Sequence, residues 1–262
     1  SPPAGLPLPY EMTWAGGAPE PWGHVVDGRW SVVGGWLQPA ATGEFRGVVL
    51  GDVGWDEYEV SVPVILGPLG APGAGVGLGV HWQGYGADGR EPSEARRYGA
   101  LGWYRTPEEG GVARLEILDA AGGVLGVDRA GKPLAQGIAN TLTLRVQADA
   151  AGGSVYSLKA WPAGGAEPAA WDVTGFGPYA GPGAVWFVTH RATARLGNVR
   201  VMPGPFGPAV SAANVRADKM REIRVMSRRP LWTAAAISWQ PPTMTTHRFP
   251  LIFNTLTSCK EL

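Results

Sequence analysis

Along the first two hundred residues, apolar and polar positions alternate with a period of two. In WDEYEVSVPVIL (55–66), Tyr58, Val60, Val62 and Val64 share one parity and Glu57, Glu59 and Ser61 the other. A strand with that pattern turns its apolar side chains to a core and its carboxylates to solvent. TLTLRVQA (141–148) repeats the pattern with Leu142, Leu144 and Val146. Short runs of this kind, separated by Gly- and Pro-rich turns, predict strands at Trp30–Val33, Trp36–Pro39, Gly47–Leu50, Tyr58–Ile65, Gly75–Trp82 and Tyr98–Tyr104. Further strands are expected at Val112–Leu118, Thr141–Ala148, Ser154–Trp161, Ala184–His190 and Arg195–Val201. No helical period of 3.6 residues competes with them in this region.

The segment VYSLKAWPAGGAEPAAW (155–171) joins a strand to a Pro/Gly turn bracketed by Trp161 and Trp171, and two closing strands lead on to Pro203. Such spacing predicts an all-β, antiparallel sandwich. GAGVGLGV (73–80) superficially resembles a dinucleotide-binding loop, but no helix succeeds it. It reads as a glycine-rich strand from which side-chain bulk is excluded.

Composition sharpens this picture. Gly 40 and Pro 24 make up about a quarter of the 262 residues, which fits either disorder or a loop-rich β protein. Twelve Trp and the many β-branched runs favour the latter. The 22 basic and 22 acidic residues cancel, so no global field points to nucleic acid or a membrane surface. No apolar stretch approaches the roughly 20 residues of a membrane span. The only cysteine, Cys259, has no partner for an intrachain disulfide. The chain opens Ser-Pro-Pro without Met, as a mature end left by signal-peptide removal would, so a secreted protein is expected.

One boundary is sharp. Every glycine lies at or before Gly207, and the 55 residues from Pro208 to Leu262 contain none. That tail carries eight basic and three acidic residues, net +5, which leaves net −5 for residues 1–207. Two units are therefore expected: a sandwich over 1–207 and a basic, irregular extension over 208–262. Within the extension Ala213–Met226 suits a helix or an edge strand, and Pro230, Pro241, Pro242 and Pro250 break regular structure in the remainder. Its apolar residues, Trp232, Trp239 and Phe253 among them, need a surface to bury against. The tail wraps its own domain, is adventitious, or is an arm donated to another subunit in a homo-oligomer.

The order of DGRWSVVGGWLQ, GVVLGDVGWDEYEVSV, GVGLGVHW, YGALGWYR, NTLTLRV, YSLKAWPAGGAEPAAW and GAVWFVTHRATARLGNVRV resembles the concanavalin A-like lectin/glucanase superfamily. The resemblance is to its laminin G-like jelly-roll modules of secreted bacterial proteins. It covers roughly Trp30 to Met202, with Tyr10 to Trp22 as a first strand region, and implies a jelly-roll sandwich whose concave sheet or rim loops hold a glycan.

Sugar recognition needs aromatic platforms beside hydrogen-bonding groups, because a pyranose has apolar faces and hydroxyl edges. His81, Trp82, Gln83 and Tyr85 at the end of one strand, with Trp103, Tyr104 and Arg105 at the end of the next, form the candidate ligand-binding set, on the expectation that the two strand ends are neighbours. The plainer reading, weighed ahead of ligand contact, is that Trp82 and Trp103 fill the core or cover an edge. His190 is expected to fix a loop by hydrogen bonding. His24 and His81 are lone residues without metal-ligand spacing. If an ion is bound, the superfamily points to Ca2+, with Asp27, Asp52 and Asp56 as oxygen donors, although no Asp-rich loop signature is present.

No catalytic residues can be assigned. A retaining glycosidase needs two carboxyl groups about 5 Å apart, and Glu57 and Glu59 lack the third acidic position of the superfamily's Glu-X-Asp-X-X-Glu motif. There is no Gly-X-Ser-X-Gly elbow. Two functions of different classes remain: a secreted, non-catalytic carbohydrate-binding module for a polysaccharide or other glycan, and a self-assembling extracellular structural protein that uses the tail as an intersubunit arm. A glucanase-type hydrolase ranks third.

Overall fold

A computed structural model of the chain describes residues 5–16, 23–85 and 96–207. The side chains of His24, Tyr85 and Arg96 and the whole 208–262 extension, with Cys259 and the segments expected there, lie outside the described residues. The described strands form two large antiparallel sheets. One comprises β1 (Tyr10–Met12), β3 (Trp30–Val33), β4 (Trp36–Pro39), β6 (Tyr58–Leu66), β13 (Ala139–Ala148), β14 (Gly153–Pro162), β15 (Val173–Pro178), β17 (Ala194–Leu196) and β18 (Val199–Pro203). The other comprises β2 (Gly23–Asp27), β5 (Arg46–Leu50), β7 (Gly75–Trp82), β10 (Ala100–Arg105), β11 (Arg114–Asp119), β12 (Val124–Val127) and β16 (Ala184–His190). A two-stranded ribbon of β8 (Gly84–Tyr85) and β9 (Arg96–Arg97) adds to these. Among the described residues the only helix is the 3-10 turn Trp14–Gly16, and none is long and apolar enough to cross a membrane.

The first sheet runs β15-β14-β13-β6-β17-β4-β3, and the second β12-β11-β10-β7-β16-β5-β2. The chain passes between layers from β5 to β6 to β7, and from β16 to β17, as a jelly-roll sandwich requires. The last strand, β18, pairs with both β6 and the N-terminal β1, so the two ends of the domain meet. The core between the layers takes the parity expected from the sequence: Tyr58, Val60, Val62, Val64 and Leu66 from β6 and Leu142, Leu144 and Val146 from β13 are buried in it. Opposite them sit Val76, Leu78 and Val80 of β7 and Val185 and Phe187 of β16.

The expected strand Arg195–Val201 is two strands. Gly197 and Asn198 interrupt it, because Trp14 docks there: its indole Nε1 donates to the Gly197 carbonyl at 2.7 Å and its backbone N–H to Asn198 Oδ1 at 3.3 Å. Strands β2, β12 and β15 were not expected. They are short and glycine-containing, and their extended form comes from a neighbour in the sheet rather than from their own pattern.

The centre of the second sheet is buried on both faces. Every position of β7 from Gly75 to Trp82 is buried, and so is every position of β16. Gly75, Gly77 and Gly79 alternate with the core-facing Val76, Leu78 and Val80, so their faces turn away from the first sheet. A Cβ on Gly77 would overlap the Cβ of Trp103, one on Gly79 would lie 2.9 Å from the indole of Trp186, and one on Gly75 would lie 2.6 Å from the Arg105 Cβ. The excluded bulk is thus that of residues on the two flanking strands, which lean over a strand without side chains on that face.

Gly77→Ala is expected to destabilise the protein by about 1–3 kcal/mol, since backbone and Trp103 must both shift. Gly70→Ala, at an exposed position where a Cβ meets nothing within 4 Å, is expected to change stability by less than ~0.5 kcal/mol. Urea denaturation of both variants checks the pair, and an unperturbed Gly77→Ala refutes the packing argument.

Candidate functional site

The outer face of the second sheet carries a separate apolar cluster. Val49, Leu101, Trp103, Leu118, Trp186 and Val188 belong to it with Trp82 and Ala184, and Val26, Phe45 and Tyr98 pack at its margins. Trp186 is the hub, with ring centroids 5.0 Å from Trp82 and 5.5 Å from Tyr98. Trp103 lies across the glycines of β7, 6.4 Å from the His190 ring, and the Arg105 guanidinium stacks 4.8 Å from its centroid.

Trp82 reaches this face through a bulge. Ala184 pairs with Trp82 and Trp186 with Gly79, so β7 contains one residue more than β16 over that interval. His81 holds the extra step with φ of +56°, a left-handed conformation that is uncommon outside glycine. The step reverses the parity: His81 turns to the sandwich end and Trp82 to the outer face. Four contacts hold it there. His81 N–H donates to Tyr58 Oη at 2.9 Å, Tyr58 Oη lies 3.0 and 3.1 Å from the Gly183 and Ala184 carbonyls, and His81 Nε2 donates to the Asp56 carbonyl at 2.7 Å. Burial drives the Tyr58 phenol far above its ordinary pKa, so it stays protonated.

A cavity of about 380 Å³ opens on the outer face, with Phe45, Tyr98, Leu101 and Trp103 as apolar walls and Arg105 and Glu108 as polar ones. That is the size and mixed lining of small-ligand sites. Its polar edge continues as a chain of ion pairs. Glu116 is only 1% exposed, and its two oxygens accept from Arg105 Nε and Arg114 Nε, each at 2.7 Å. Arg105 also reaches Glu108 at 3.4 Å, and Arg191 joins Glu108 at 3.5 Å to Glu44 at 2.9 Å. Hydrogen bonding and charge from Arg191 hold the Glu44 carboxyl below its usual range.

His190 fixes a loop, as expected from the sequence. The backbone N–H of Phe45, itself at φ +48°, donates to His190 Nδ1 at 3.2 Å, and the two rings lie 4.3 Å apart. Nδ1 is therefore the unprotonated nitrogen, and the bond holds the phenyl wall of the cavity. Burial first, then the positive charge of Arg191, depresses the His190 pKa below its ordinary value.

The sequence-derived set divides. Trp82 and Trp103 share the outer face, with Arg105 beside Trp103, but the two strand ends are not neighbours. β7 and β10 are antiparallel: Trp103 pairs with Gly77 and Arg105 with Gly75, so Trp82 lies five positions further along β7, roughly 16 Å away at ~3.3 Å per residue. Tyr104, of opposite parity, enters the inter-sheet core, where its hydroxyl accepts from Leu134 N–H at 3.2 Å. Gln83 is tied to the Ala180 and Pro182 carbonyls. Tyr85 has no described side chain.

The aspartates named for Ca2+ have other partners. Asp27 pairs with Arg46 at 2.7 Å, Asp52 accepts from the Leu6 and Gly54 N–H groups, and Asp56 accepts from Tyr179 Oη at 3.0 Å. Among the described residues no group of three or more His, Cys, Asp or Glu side chains converges on a metal position. Glu59 pairs with Arg145 at 2.7 Å, and Glu57 accepts from Ala148 N–H at 2.7 Å, both on the first sheet.

Sequence reasoning missed Phe45, Tyr98, Glu108, Glu116 and Trp186. Only Trp186 left a signal, since a strand of alternate glycines calls for large residues on its neighbours. Trp161, on β14, and Trp171, in the loop before β15, lie elsewhere, with Lys159 Nζ 5.6 and 4.3 Å from their ring centroids.

His81 and His190 both have folded pKa values below 6.5, burial being the leading cause for each. The unfolded chain therefore binds protons more readily, so stability is complete above pH ~6.5 and falls as pH drops through that value toward the folded pKa values. Thermal melts between pH 8 and 5 are expected to show this loss, and His190→Asn is expected to flatten it. An equal slope in the variant removes His190 as a contributor.

No family model matches the chain, and neither does any curated protein. Among solved structures it is similar to the exoplasmic/lumenal domain of VIP36 in a Ca2+/Man3GlcNAc-bound form, with 9% identity over 73% of this chain and 89% of that one and a TM-score of 0.49. It is similar to lectin II from Ulex europaeus, at 10% identity over 76% and 99% with a TM-score of 0.49. It also resembles the GH43 protein BlXynB from Bacillus licheniformis, at 14% identity and a TM-score of 0.44, covering 67% of this chain but only 34% of that protein. By its own strand order, with two antiparallel layers and the terminal strands β1 and β18 paired, the chain is an antiparallel jelly-roll β-sandwich.

Proposed function

We propose that this chain is a secreted, non-catalytic carbohydrate-binding module, and that it holds a sugar ring in the cavity on the outer face of the second sheet. The observation that carries the reading is the pairing of an apolar aromatic wall, the half-buried Phe45 and Tyr98 over a floor of buried Trp103, with the Arg105 and Glu108 polar edge in one cavity of about 380 Å³. The wall suits the C–H face of a pyranose, and the edge supplies donors and acceptors for its hydroxyls. Binding without hydrolysis fits the carboxylates of this face: both Glu116 oxygens are taken up by guanidinium groups, Arg105 on one and Arg114 on the other.

Trp103→Ala is expected to weaken retention on a polysaccharide at least tenfold. Trp161→Ala, at a buried tryptophan of the first sheet, is expected to leave retention within about twofold. Affinity electrophoresis and a glycan array, with circular dichroism confirming that both variants fold, test the reading. Equal retention of wild type and a folded Trp103→Ala variant sinks it.

A further inference from the structure

The charged groups around the cavity carry information about the ligand. Arg105 is the guanidinium nearest the aromatic wall, and an unpaired arginine there would recruit a carboxylate or sulfate. It is not unpaired. Its Nε is bound to Glu116 at 2.7 Å and its Nη1 faces Glu108 at 3.4 Å, while its plane stacks on Trp103. Arg114 is committed to the other Glu116 oxygen, and Arg191 to Glu44 and Glu108. Among the described residues, each guanidinium along this edge already has a carboxylate partner.

Burial makes the pairing consequential. Glu116 is 1% exposed and the Arg105 side chain 14% exposed, so drawing Arg105 toward an anionic ligand would strand a buried carboxylate. Exposed pairs such as Arg191 with Glu44 yield easily; this one does not. Glu108, with its side chain 57% exposed, adds a negative charge at the mouth. Groups so committed still offer hydrogen bonds to hydroxyls, since a paired guanidinium keeps further N–H donors and each carboxylate keeps lone pairs.

We infer that the site selects uncharged glycans and rejects uronate- or sulfate-bearing ones, with Glu116 as the specificity-determining residue through its hold on Arg105. The inference rests on the carbohydrate-binding reading and names its substrate class. Glu116 touches no ligand in this scheme; it keeps Arg105 from acting as an anion receptor.

The test uses the full-length chain on a panel of neutral polysaccharides (a β-glucan, a mannan, a xylan) and acidic ones (alginate, polygalacturonate, heparin) at low and at roughly physiological salt. Retention on at least one neutral polymer is expected to exceed that on every acidic one by about tenfold or more and to change less than about twofold with salt. Glu116→Gln, which frees Arg105 and Arg114, is expected to gain severalfold affinity for an acidic polymer at low salt. Glu108→Gln, at an exposed position where folding is not at stake, is expected to move the same way to a smaller degree.

Preferential, salt-sensitive binding of an acidic polymer by the wild type overturns the specificity inference while leaving carbohydrate binding intact. So does a folded Glu116→Gln variant with unchanged selectivity. Absence of binding to either class overturns the carbohydrate reading itself, and the inference with it.

Discussion

Two indoles, Trp103 on β10 and Trp186 on β16, lean over the strand between them, and β7 has no Cβ where they do so. Most of what distinguishes the second sheet depends on that close approach. A strand in the middle of a sheet normally presents side chains on both faces, and glycine there weakens it through lost packing and higher chain entropy. Here Val76, Leu78 and Val80 supply the core face, while neighbours supply the packing on the other. The tryptophans can then lie close to the backbone, Trp186 against Trp82 and Tyr98 and Trp103 against His190, instead of standing off behind a row of methyl groups.

The second requirement is the His81 bulge, which turns Trp82 out of the inter-sheet layer to join Trp186. A left-handed residue with a ring side chain is costly, and the cost is offset by bonds from both layers. Tyr58 belongs to the first sheet, yet its hydroxyl meets the His81 N–H and the Gly183 and Ala184 carbonyls of the second. Gly183 is also sterically required, because a Cβ there would run into the His81 backbone. One buried phenol thus joins the layers where the chain must bend, and its raised pKa keeps the hydroxyl available as a donor.

At the other end of the face, loops rather than strands complete the cavity. Phe45 and Arg191 both take left-handed conformations on either side of His190, and the Arg191 N–H is fixed to the Gly43 carbonyl at 2.8 Å. The wall and part of the polar edge are therefore set by backbone geometry. The face as a whole is apolar at its floor and neutralised at its margin, a combination suited to a ligand with its own apolar faces and uncharged polar edges.

The alternation in each strand is a local property, and so the sequence determined which residues of β6 and β13 enter the core, that Gly75–Trp82 is a strand without bulk on one face, and that the last strand ends near Pro203. The same rule separates Tyr104 from Trp103 and Arg105, since consecutive residues cannot face one way. Only the tertiary structure decided which residues meet. Antiparallel pairing of β7 with β10 sends Trp82 and Trp103 to different ends of one face, and a single extra residue at His81 reverses the parity that the pattern implies. Glu116 finds Arg105 through β10–β11 pairing, and Glu108 and Phe45 arrive from loops far apart in the chain. Spacing along the chain carries no information about such encounters, because they are set by strand order, register and loop closure across the whole domain.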